Sequence, residues 1–288
     1  MRRKERQVST LFEGAQGVFL MQAIARIGTV PYLNAMPLLL PIEKKTIHSK
    51  YEFEITKAPP SRLTRLLQGA TIDVAMLSVV EPMKEKRFRI ISGISICSHG
   101  PTHTVQLFHK GDPGDIKLLA LDAESCTSNI LARIILGEKY GIAPECKTVL
   151  NPDENTLNEY DAFVSIGDKT FNLLKKNMSH IDLGEAWTEL TGLPMVYAVW
   201  VLAPHFKDRD IIEVLRQSCK LGLQMLDEII PRISRTRDIP MEELTRYFHK
   251  NVEYSLDTEE KKGIAKLFEL GHKLNLLPPP RLMEYYFG

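Results

Sequence analysis

The stretch "GDPGDIKLLALDAESCTSNILARIILGEKYG", residues 111–141, decides the fold. Gly111 to Asp115 form a turn-rich break. "IKLLALD" then reads as a buried strand, "AESCTS" as a polar turn, and "NILARIILGEKYG" as a helix. After a Pro/Asn loop a second strand follows, "AFVSIGD". A strand, a helix and a further strand in succession form a βαβ unit, so this part of the chain builds an α/β layer of its own, running to "TGLP" at 191–194.

On the amino-terminal side, strand and helix patterns also alternate. "ARIGTV" and "YEFEIT" read as strands, and "PPSRLTRLLQG" as a helix with Pro at its start and Gly69 past its end. "IDVAMLSVV" is a near-continuous apolar strand reaching Ser78, and "FRIISGISICS" and "TVQLFHK" are two further β-rich runs. These imply a mostly parallel sheet. On the carboxy-terminal side "MVYAVWVLA" is a strand pattern, and the remainder is helical, with Asp257 placed to cap the last long helix. The reading is a two-lobed α/β chain: lobe 1 from residues 26–109 and 195–288, lobe 2 from 110–194 inserted into it, and a ligand cleft between them. In a clamshell of this kind the ligand meets strand ends and helix N-termini from both sides, so it is small.

Composition narrows the function. The 288 residues include 37 basic and 36 acidic side chains, a formal net charge of +1, and this balance supplies no field for gripping a phosphate backbone. Nucleic acid is not an expected partner. Cys97, Cys126, Cys146 and Cys219 form no C-x-x-C pair, the eight histidines show no ligand spacing, and no metal or cofactor is expected. The cysteine usage fits a reducing compartment. No apolar window reaches the ~18 residues of a membrane span, so no membrane partner is expected. Residues 1–25 carry Arg2, Arg3, Lys4 and Arg6 before "GVFLMQAIA", which loosely resembles a signal peptide. Glu5, Glu13 and Gln22 argue instead for a poorly ordered extension, or for a start at Met21. Monomer and homodimer both remain open.

Several polar clusters fall where strands end. In "LDAESCTSN", Ser125, Thr127 and Ser128 stand between a strand and a helix start, where hydroxyls and free N–H groups hold a carboxylate or cap the helix. No glycine-rich phosphate loop is present, which points to a carboxylate rather than a nucleotide. Ser78 ends a buried strand. "CSHGPTHTV" sets His99, His103 and Thr104 around a Gly-Pro turn, and Asp168 follows the strand "AFVSI", as ligand contact or as helix cap. In "RIGTVPYLNAMPLL", residues 26–39, Pro31 and Pro37 bracket Tyr32 and Asn34 at the first strand-to-helix turn. Trp187, Tyr197 and Trp200 read as core, with a ring-binding wall as the other possibility. A Ser/His/Asp hydrolase is excluded for want of a nucleophile elbow.

"VPYLNAMPL", "IDVAMLSVVE", "LDAESCTSNILARIIL", "SIGD" and, most specifically, "DLGEAWTELTGLPMVYAVW" occur in an order that resembles the chorismate dehydratase family of the futalosine route to menaquinone. The resemblance runs from Arg26 through "VEYSL" and the helix after it. It implies a type II periplasmic-binding-protein-like fold in a cytoplasmic, cofactor-free hydro-lyase that converts chorismate to 3-[(1-carboxyvinyl)oxy]benzoate. "YLN" favours it over the related family acting later in that route. The resemblance further implies that Asn34 is catalytic, that Thr127 and Ser128 form the anion-binding pair, and that Ser78 and Asp168 match further cleft positions; Tyr32, Thr104 and Ser125 complete the expected substrate-binding set. The sequence departs from the family's pattern at Thr104, where a Ser is usual, and at Lys169 and Thr170 after "GD". Two other readings of the fold are a non-catalytic solute-binding protein for a small carboxylate and a regulatory ligand-binding domain.

Overall fold

The computed structural model describes residues 23–287. Its strands, in chain order, are β1 (Ala23–Thr29), β2 (Tyr51–Lys57), β3 (Val74–Ser78), β4 (Arg89–Ser98), β5 (Val105–His109), β6 (Leu118–Asp122), β7 (Glu145–Val149), β8 (Ala162–Ile166), β9 (His180–Asp182), β10 (Met195–Leu202) and β11 (Tyr285–Tyr286). They form two sheets, ordered β11-β4-β10-β3-β1-β2 and β7-β6-β8-β5-β9. The helices are α1 (Met36–Glu43), α2 (Pro60–Gln68), α3 (Glu81–Lys84), α4 (Thr127–Tyr140), α5 (Lys169–Leu174), α6 (Leu183–Thr191), α7 (Asp210–Gln224), α8 (Leu226–Arg237), α9 (Met241–Arg246) and α10 (Thr258–Lys273).

Every residue of β3 is buried, as its unbroken apolar sequence requires of a strand covered on both faces. It pairs parallel to β1 and antiparallel to β10, with Val199 opposite Leu77. Asp73, just before β3, fixes that end of the sheet. Its buried carboxylate accepts from the Arg26 backbone N at 2.8 Å, from Arg26 Nη2 at 2.7 Å and from His205 Nε2 at 2.9 Å. Burial alone would push this carboxyl up, but the Arg26 and His205 hydrogen bonds outweigh it and hold the pKa below the usual value.

Three expectations need correction. Val105–His109, read as the close of lobe 1, pairs antiparallel with β8 and β9, so the chain enters the second sheet through residues 99–104 rather than at 110. Both sheets are mixed rather than mostly parallel, because β10 returns antiparallel between β3 and β4, and β5 runs antiparallel between β8 and β9. β1 begins at Ala23, opposite Tyr51, and so takes in three residues assigned to the extension. The reading of residues 1–22, including the start at Met21, lies outside the described residues.

The position of α1 under the first turn follows from its prolines. Pro41 has no N–H to return to the Pro37 carbonyl four residues back. α7 packs against that carbonyl through Gly222, where a Cβ would stand 1.8 Å from Pro37 O, and Ser218 Oγ donates to Leu38 O at 2.7 Å. Gly222→Ala is therefore expected to force the two backbones apart. It should cost about 3 kcal/mol, and lower the melting temperature by roughly 6–12 °C in a scanning calorimeter.

Candidate functional site

The carboxyl ends of β1, β3, β6 and β8 converge on a cavity of about 660 Å³, its mouth included, between the two sheets. This is where open α/β sheets hold their ligands. Asn34 lies in a 3-10 turn, Leu33–Ala35, between Pro31 and the start of α1. Its side chain lines the cavity, and Oδ1 is buried with no hydrogen-bond partner among the described residues. A buried amide oxygen left unsatisfied by the protein costs about 1–3 kcal/mol, so a donor arriving with a ligand would find it ready.

Tyr32 lies against the backbone of Gly167. Gly167 has φ +74°, and a Cβ there would fall 2.9 Å from Tyr32 Cδ1, so both the conformation and the approach require glycine. The Tyr32 hydroxyl donates to Glu124 Oε2 at 3.1 Å, joining the first lobe to the second. Burial in the first place, and the Glu124 carboxylate in the second, raise its pKa far above the ordinary phenol value.

α4 presents its first turn to the cavity. Ser128 N donates to Ser125 Oγ at 3.1 Å, so Ser125 caps the helix while still lining the cleft. Thr127 Oγ1 donates to Tyr197 O at 3.1 Å and lies 2.5 Å from Ser78 Oγ. Because a hydroxyl carries one proton, Ser78 is the donor in that pair. Thr104 Oγ1 meets Tyr247 OH at 3.2 Å.

The structure thus brings together Tyr32, Asn34, Ser78, Thr104, Ser125, Thr127 and Ser128. It does not bring Asp168 to the cavity wall. That carboxylate neither caps α5 nor faces the cleft, but accepts from Leu33 N at 3.0 Å and so holds the turn that carries Asn34. Lys169 also points elsewhere, donating to the buried Asp122 at 2.7 Å, and Thr170 Oγ1 donates to Gly167 O at 2.8 Å. His99 and His103 do not line the cavity. Among the described residues, Cys97, Glu253 and Glu260 could converge on a cation, but they lie off the cavity and Glu260 already caps α10.

Sequence reasoning missed Tyr247, Thr102 and Glu124, all of which line the cavity. Tyr247 begins a π-helical turn, Tyr247–Asn251, just before the quoted "VEYSL" and far along the chain from the strand-end motifs. Glu124 stood inside the quoted "LDAESCTSN" and was passed over as a turn residue. The tryptophans are core: Trp187 and Trp200 are fully buried, with Trp187 Nε1 donating to Pro194 O at 3.2 Å. Tyr197, between them in sequence, does line the cleft.

Asp182 anchors the segment on which the chain enters the second lobe. Its Oδ1 accepts from Thr102 N at 3.0 Å and Gly184 N at 2.9 Å, and its Oδ2 from His103 N at 2.8 Å and Gln106 Nε2 at 2.6 Å. His103 is thereby held at φ +68°, outside the regions most side chains prefer.

The architecture is that of the periplasmic binding proteins. A crystal structure of a protein from Archaeoglobus fulgidus superposes with a TM-score of 0.72 at 17% identity, covering 88% of this chain and 98% of that one. The alkanesulfonate-binding protein of Xanthomonas axonopodis superposes at 0.64 with 15% identity, covering 89% and 94%. Within that class, the family model for menaquinone biosynthesis matches residues 25–273, and the chain belongs to this family. It is 27% identical over 252 residues to the chorismate dehydratase of Campylobacter jejuni, across 86% of this chain and 98% of that protein. It is 25% identical over 237 residues to that of Thermus thermophilus, across 75% and 86%.

Asp182→Ala would strip the partners from two backbone N–H groups and from the start of α6. It is expected to cost about 3 kcal/mol in denaturant unfolding, and to speed hydrogen exchange at Thr102 and His103 more than at the core of β8.

Proposed function

We propose that this chain is a chorismate dehydratase, eliminating water from chorismate to give 3-[(1-carboxyvinyl)oxy]benzoate in the futalosine route to menaquinone, in the cytoplasm and without a cofactor. Family membership and the two curated relatives support the reading. The observation that carries it to the atoms is Asn34 Oδ1, buried at the cavity wall with no partner among the described residues. The ring hydroxyl of chorismate supplies the missing donor. The start of α4 with Ser125, Thr127 and Ser128 receives a carboxylate, and Ser78, Thr104 and Tyr32 close around the ring.

Elimination makes a benzene ring, so aromaticity supplies the driving force, and the protein needs mainly to orient the substrate and stabilise shifting charge. Asn34 holds the hydroxyl that leaves. Asp168 acts through the Leu33 N–H, as a positioning residue for the Asn34 turn. The enolpyruvyl carboxylate of the substrate takes the ring proton, and an analogue lacking that carboxylate should not be dehydrated. The solute-binding alternative rests on fold neighbours, which share the architecture alone.

Purified protein incubated with chorismate should lose the cyclohexadiene absorbance and yield a product lighter by one water in the mass spectrum. Chorismate bound but unchanged would make the chain a binding protein. Asn34→Ala is expected to lower kcat by at least ~100-fold while leaving the melting temperature within a few degrees, because the amide oxygen it removes has no partner among the described residues and the rest of the amide meets only the Tyr247 hydroxyl.

A further inference from the structure

The cavity would receive a dianion, yet among the described residues lining it there is no Lys, Arg or His, and one carboxylate, Glu124. Glu124 makes no ion pair among the described residues. Its Oε2 accepts from Tyr32 OH at 3.1 Å, and its other carboxyl oxygen has no hydrogen-bond partner among the described residues. An ionised carboxylate left to face two more, with no cation between them, is repelled by each. Taking up a proton removes that repulsion and converts Glu124 into a donor.

The chemistry asks for such a donor, since hydroxide is a poor leaving group and departs readily only as water. The other exchangeable protons on the cavity wall are held too firmly. The phenols of Tyr32, Tyr197 and Tyr247 and the Cys126 thiol are all pushed up by burial, away from neutral pH. Resting on the reading of the cleft as a chorismate site, we propose that Glu124 is the general acid: it gains a proton as the dianion enters and gives it to the ring hydroxyl as that group leaves.

The step balances. The C–H bonding pair of the ring carbon becomes the new ring π bond, the C–O pair departs with oxygen, and the Glu124 proton completes the water. The ring proton sits on the substrate's enolpyruvyl carboxylate, and passes from there to solvent or back to Glu124. Tyr32, donating to Oε2, orients the carboxyl group. The charged groups around it are paired with one another. Asp122, which accepts from Glu124 N at 2.9 Å, is bound to Lys169. Asp168 lies 3.8 Å from Arg237, and Glu81, on the far side of Cys126, is bound to Lys84. None of these lines the cavity.

Glu124→Gln keeps the size and the acceptor for Tyr32 but removes the acidic proton. The experiment measures chorismate turnover across pH for wild type and variant, together with calorimetric binding of 3-[(1-carboxyvinyl)oxy]benzoate in two buffers of different ionisation enthalpy. Wild-type kcat should fall as pH rises through the acid's pKa in the complex, and product binding should take up a proton. The variant should lose ~100-fold or more in kcat, bind product no more weakly, take up no proton and lack the alkaline limb. A variant with kcat within threefold of wild type overturns the proposal, as does one that still takes up the proton or whose loss lies wholly in KM. If wild type leaves chorismate unchanged, the functional reading fails and this proposal falls with it. Turnover by wild type that survives Glu124→Gln overturns the acid alone.

Discussion

The hydroxyl of Thr127 is the joint on which the cleft depends. It accepts from Ser78 Oγ, at the end of β3, and donates to Tyr197 O on β10. One proton per hydroxyl fixes the order of that relay, and the relay fixes the start of α4 against the ends of two strands from the other sheet. Tyr32 to Glu124 and Leu33 N to Asp168 do the same on the opposite wall. The two lobes thus meet around the cavity through short polar contacts, and away from it through α4 against α10, where Lys273 pairs with Glu138.

That arrangement lines most of the cavity with uncharged polar groups. Hydroxyls, an amide and a helix start offer partial positive charge without a counter-ion, so they orient carboxylates without neutralising them. Charge that moves during an elimination then meets dipoles already in place and needs little reorganisation. Among the described lining residues there is no cation, and Glu124 is the one carboxylate on the wall.

Much of this was legible in the chain. β3 and β6 could be read from their apolar runs, the start of α4 from its serines and threonines, and Asn34 from its place between two prolines. β5 could be read as a strand but its sheet could not, because "VQLFH" is buried whichever sheet it joins, and pairing rather than hydropathy decides which. Asp168 was placed at the right turn but with the wrong partner: a carboxylate after a strand serves a ligand, a helix or a neighbouring loop equally well, and here Leu33 N reached it. Tyr247 could not have been found, since it arrives from a helical turn that no local pattern connects to the strands. The motif "DLGEAWTELTGLP" proved to be structural. Asp182 holds residues 102 and 103, Thr188 Oγ1 accepts from Gly100 N at 2.8 Å, and Trp187 fastens the return at Pro194.

The assignment of one cavity to one reaction can be decided by a crystal structure of the protein with 3-[(1-carboxyvinyl)oxy]benzoate. The product should occupy the space between Asn34 and the start of α4, with a carboxylate on the Thr127–Ser128 turn and Glu124 beside the ring carbon that lost its hydroxyl. A product bound outside that cavity, or one whose ring lies beyond reach of both Asn34 and Glu124, would contradict it.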